Sequence, residues 1–63
     1  MKRKDFIQYL EMNQCYFLRE GGSHTIYKNI QNGKKSAIPR HSEIKKVVVM
    51  SICKALEIKN PFN

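Results

Sequence analysis

The 63 residues carry twelve Lys and Arg against five Asp and Glu, a formal net charge of +7. A chain of this length buries only about 60% of its unfolded surface, which leaves no room for a second core or a large enclosed site. Its substrate or partner must meet an open surface or a shallow groove. The positive excess suits a polyanion, nucleic acid ahead of an anionic membrane.

No long apolar run and no signal-peptide pattern is present. Cys15 and Cys53 lie far apart in apolar company. The chain therefore reads as one cytoplasmic domain over residues 1–63, with reduced thiols.

Lys2 to about Asn13 predicts a helix. Phe6, Ile7 and Leu10 recur at helical spacing, while Lys2, Lys4, Gln8 and Glu11 fill the polar side. Asp5 suits the positive end of the helix dipole. Asn13 can take the left-handed conformation that closes a helix. Cys15 to Arg19 is aromatic-rich and free of Gly and Pro, and predicts a strand. Glu20 to Ser23, with Gly21-Gly22 inside it, predicts a short hairpin connection. A second strand runs from Ser23 to Ile30. Asn32-Gly33 marks the next turn, since both residues tolerate positive φ. Lys35 to Pro39 is a short third strand, and Pro39 belongs at an end or edge because it cannot donate a ladder bond.

Arg40 to Lys46 reads as a polar connection in which Ser42 can cap a helix. From Lys46 to Ile58 the residues Val48, Val49, Ile52, Cys53 and Leu56 form one apolar stripe. Three consecutive valines favour a strand, but length and the later spacing favour a helix, which Asn60-Pro61 ends. The order α-β-β-β-α, with both helices packed on one face of a three-stranded antiparallel sheet, is the double-stranded-RNA-binding-domain arrangement, an α+β fold.

The chemistry concentrates at Gly21-Gly22-Ser23-His24. A histidine just past a tight turn stands on ordered backbone yet meets solvent. Cleaving RNA without a metal requires taking the proton from a ribose 2′-hydroxyl, and the imidazole's ordinary pKa, about 6.5, suits that task. Cations nearby would stabilise the charge that builds on the phosphorus centre. Lys28, Lys34, Lys35 and Arg40 are candidates, and Ser23 can orient the imidazole or a phosphate. If the second strand is regular from its first residue, His24 shares a face with Ile26 and Lys28. His41 is a candidate RNA contact. Tyr9, Tyr16 and Tyr27 can stack on bases or pack in the core. Cys15, Cys53, His24 and His41 are zinc-ligand types, but no pair has zinc-ligand spacing, so no metal and no cofactor is expected.

The segments Arg19 to Tyr27, Ile38 to His41 and Ser51 to Leu56 together resemble the HicA toxins, small messenger-RNA endoribonucleases of type II toxin–antitoxin pairs. The resemblance runs from Phe6 to Ile58. It implies this same fold, metal-independent cleavage of mRNA with His24 as the catalytic residue, and a HicB-type antitoxin that covers His24 and its basic surroundings. The chain departs from the family pattern at two places. Gln14-Cys15 stands where the family often has a glycine between first helix and first strand. Val47-Val48 stands where a Gly-Thr or similar cap usually opens the last helix. An alternative reading is a non-catalytic RNA-binding module on the same fold. A DNA-binding regulator is disfavoured, because no helix-turn-helix pattern is present.

Overall fold

In the computed structural model, which describes residues 1–62, the elements follow the expected order. They are α1 (Arg3–Met12), β1 (Cys15–Gly21), β2 (His24–Asn29), β3 (Lys35–Pro39) and α2 (Lys46–Leu56). The sheet is an antiparallel meander with β2 in the centre. Alternation along β2 buries Thr25, Tyr27 and Asn29 on the helix side and turns His24, Ile26 and Lys28 to the other. Phe6 and Leu10 of α1 and Val49, Ile52, Cys53 and Leu56 of α2 close over the inner side, together with Ile38 and Cys15. The opposite sheet face is covered by no helix.

The valine run is helical, as its later spacing requires. Val49 is buried while Val47 faces solvent. Ser42 does not cap α2. Lys45 precedes the helix without a side-chain cap, and the Ser42 carbonyl instead accepts the Arg3 N–H at 2.8 Å, tying the connection to α1. The helix also ends two residues before the expected Ile58. Glu57 turns left-handed at φ 59°, and Ile58 N–H reaches back to the Cys53 carbonyl at 2.9 Å. This is a Schellman closure without glycine. The carbonyl of Leu56 accepts from the buried Asn29 Nδ2 at 2.9 Å and from Asn32 Nδ2 at 3.1 Å. The β2–β3 connection thus holds the end of α2, and of Asn32 and Gly33 only Gly33 has positive φ.

The corner between α1 and β1 corrects the expectation at Asn13. Its φ is −108°, and its Nδ2 donates to the Tyr9 carbonyl at 2.9 Å. The left-handed residue is Gln14, at φ 66°. A side chain with a Cβ costs about 1–2 kcal/mol in that conformation. Gln14→Gly should therefore stabilise the fold by about 0.5–1 kcal/mol after the entropy of glycine is set against the relief. Thermal denaturation checks this as a rise of a few degrees in midpoint, and a fall would show that the Gln14 side chain stabilises the corner.

Both cysteines are free and buried. Burial raises both thiols, and the proximity of Cys15 adds to the burial that lifts Cys53 to about 11. They act as small apolar core residues.

Candidate active site

His24 opens β2, the central strand, and pairs with Gly21 on one side and Pro39 on the other. His24 is exposed although its backbone is flanked by strands. The turn before it is two residues long. Gly22 takes φ 60°, which glycine adopts without strain. Ser23 Oγ lies 3.1 Å from His24 Nδ1. That contact fixes the ring plane and leaves Nε2 as the nitrogen without a hydrogen bond among the described residues.

Register places a set of cations on the same open face. Lys28 pairs with Lys35 across β2 and β3 and with Tyr16 across β1 and β2. Directly opposed like charges are destabilising in a sheet, so the fold gains nothing from this pair. Arg19 pairs with Ile26 and joins the same face. A Cβ at Gly21 would stand 3.1 Å from Arg19 Nη1 and 3.0 Å from Ile26 Cγ1. The guanidinium therefore lies close over Gly21, the residue paired with His24, and a side chain there would press on it and on Ile26.

Arg19 reaches this face through a bulge. The β1–β2 register shifts between Phe17 and Arg19. One extra residue reverses the faces of all that follow. Regular alternation from the buried Cys15 points Arg19 inward and Glu20 outward, whereas the register opposes Glu20 to the buried Thr25. The signal in the sequence was indirect: Arg19 turned inward would bury an unpaired charge.

The other expected contacts are distributed unevenly. Ser23, Lys28 and Lys35 lie with His24 at the turn or on the open face. Lys34 sits in the β2–β3 connection, at the far end of β2 from His24, 3.7 Å from Glu57. His41 is exposed and lines a groove with Pro39, Ile44, Lys45 and Val48 that does not include His24. Arg40 reaches the His24 turn but binds protein atoms there: its guanidinium donates to the Gly22 carbonyl at 2.9 Å, to the His24 carbonyl at 3.0 Å and to the Glu20 carboxylate. Of the tyrosines, Tyr27 is buried edge-on to Phe17, Tyr9 donates to the Lys59 carbonyl, and Tyr16 stands on the open face. Among the described residues no group of three His, Cys, Asp or Glu could hold a metal ion, and no helix is long and apolar enough to cross a membrane.

A family model described as the HicA toxin of bacterial toxin–antitoxin systems matches residues 3–58. The chain belongs to the HicA toxin family. As a HicA-family toxin it is one half of a toxin–antitoxin system, and an antitoxin is implied as its partner. The matched span takes in both helices, all three strands and the turn bearing His24. No curated protein and no solved structure shows significant similarity to the chain.

Proposed function

We propose that this HicA-family toxin is a metal-independent endoribonuclease that cleaves mRNA in the cytoplasm. The observation that carries the reading is an exposed histidine at the head of the central strand, on an uncovered sheet face with Arg19, Lys28 and Lys35. RNA lies along that face, its phosphates held by the two lysines and its bases offered Tyr16 for stacking. His24 Nε2 takes the proton of a ribose 2′-hydroxyl. The freed oxygen attacks the adjacent phosphorus, the bond to the 5′-oxygen breaks as that oxygen takes a proton from the newly protonated imidazole or from water, and a 2′,3′-cyclic phosphate and a 5′-hydroxyl remain. Arg19 stabilises the charge on the phosphorane. Ser23 holds Nδ1 and sets the ring orientation.

His41 lies beyond this face and serves as an outer RNA contact, as does Lys34 at the far end of β2. A HicB-type antitoxin inhibits the enzyme by covering His24 and the cations beside it. An acidic surface on that partner would meet the chain's positive excess.

The test is incubation of the purified protein with a long single-stranded RNA in EDTA, followed by analysis of product ends. Cleavage leaving cyclic phosphates is expected. Salt-sensitive RNA binding with no cleavage would replace the nuclease by a non-catalytic RNA-binding module on the same fold.

A further inference from the structure

Arg40 follows the last residue of β3, and its side chain returns across the end of the sheet to the turn between β1 and β2. Its acceptors bracket Ser23: the Gly22 carbonyl before it at 2.9 Å and the His24 carbonyl after it at 3.0 Å. Glu20, near the end of β1, supplies the third acceptor through its carboxylate. A planar guanidinium with five N–H donors can serve several acceptors at once, and an ammonium on a flexible stem cannot reproduce that fork.

Glu20 is itself held from beneath. Thr25 Oγ1 donates to the same carboxylate oxygen at 3.3 Å and accepts from Arg3 Nη2 at 3.3 Å. Arg3 Nε donates to the Pro39 carbonyl at 2.7 Å. The network runs from the first turn of α1, through the buried Thr25 of the central strand, to the turn that bears the histidine. Arg40's hydrogen bond holds the Glu20 carboxyl below the usual carboxylate range. The carboxylate is thus the charged partner of Arg40 at neutral pH.

We infer that Arg40 is a positioning residue, anchored by Glu20, that fixes the backbone of the Gly22–His24 turn and so sets the His24 imidazole over the open face without itself contacting RNA. Its charge is neutralised by Glu20, and three of its five N–H donors are committed to protein oxygens. This differs from Lys28 and Lys35, whose ammonium groups form no ion pair among the described residues. The catalytic consequence rests on the nuclease reading; the clamp does not.

Three measurements on Arg40→Ala and Arg40→Lys test the inference. Cleavage at saturating RNA should fall at least tenfold in both variants, with KM changed less than twofold, because lysine keeps the charge but not the fork. Hydrogen exchange at the His24 amide, at the head of β2, should speed up at least tenfold while the amides of α1 and α2 keep their protection. In a His24→Ala background, where RNA stays intact, the slope of log Kd against log salt should not change with Arg40→Ala. Lys28→Ala in the same background should lower that slope by about 0.7, the value for one single-strand phosphate contact. A slope that falls by that amount in Arg40→Ala, with turnover at saturation intact, overturns the proposal and makes Arg40 a phosphate ligand. If Arg40→Ala does not fold, Arg40→Lys carries the same comparison: full activity with unchanged exchange overturns the clamp. Faster exchange at His24 in a protein whose wild type leaves RNA uncut supports the clamp and overturns the nuclease reading instead.

Discussion

His24→Ala is expected to lower RNA cleavage by about 100- to 10,000-fold, the range for loss of one positioned general base. The fold should not change. The side chain is exposed, so stability should move by no more than about 0.5 kcal/mol. RNA binding should weaken little, since Arg19, Lys28 and Lys35 remain. The assay is single-turnover cleavage in EDTA, with circular dichroism on the same preparation. Ser23→Ala is the graded companion. It removes the hydroxyl 3.1 Å from Nδ1 but leaves the base, so a smaller loss is expected. Cleavage by His24→Ala at the wild-type rate would transfer the role elsewhere, with His41 the next histidine to replace.

Phe6→Ala should abolish function by a different route. Phe6 is fully buried at the junction of α1 with the sheet and α2. Removing a buried phenylalanine costs about 3–5 kcal/mol in lost transfer energy and cavity. A 63-residue chain has a total stability of only about 3–9 kcal/mol at typical values per residue. The variant should be largely unfolded at 37 °C, and urea titration should move its midpoint close to zero denaturant. A midpoint shifted by less than a third would mean that the core collapses around the gap. Comparison of the two variants separates loss of chemistry from loss of fold, which an activity measurement alone does not do.

The parts legible in the sequence were those governed by a local period. Phe6 and Leu10, then Val49, Ile52, Cys53 and Leu56, face the core because helices repeat every 3.6 residues. His24, Ile26 and Lys28 share a face because strands repeat every two. The HicA resemblance rested on the turn residues and the Pro39–His41 element, and the family match covers both. Features decided by distant partners were not legible. The bulge near Leu18 depends on how β1 meets β2, and it decides the faces of Arg19 and Glu20. The hold of Arg40 on the Gly22–His24 turn was not legible because its hydrogen-bond partners lie 16 to 20 residues away. The left-handed residue fell on Gln14 because the Asn13 amide had a better use at the Tyr9 carbonyl.

Alternation along β2 divides labour at single-residue resolution. Thr25, Tyr27 and Asn29 hold the interior, while His24, Ile26 and Lys28 between them present the open face. Exposed positions away from caps and turns tolerate replacement at a cost within about 0.5 kcal/mol. Lys35, exposed on β3 opposite the half-buried Lys28, can therefore change without drawing on the small stability of the domain. Such a surface is evolvable: a toxin lineage can alter what this face contacts one residue at a time at little cost to the fold.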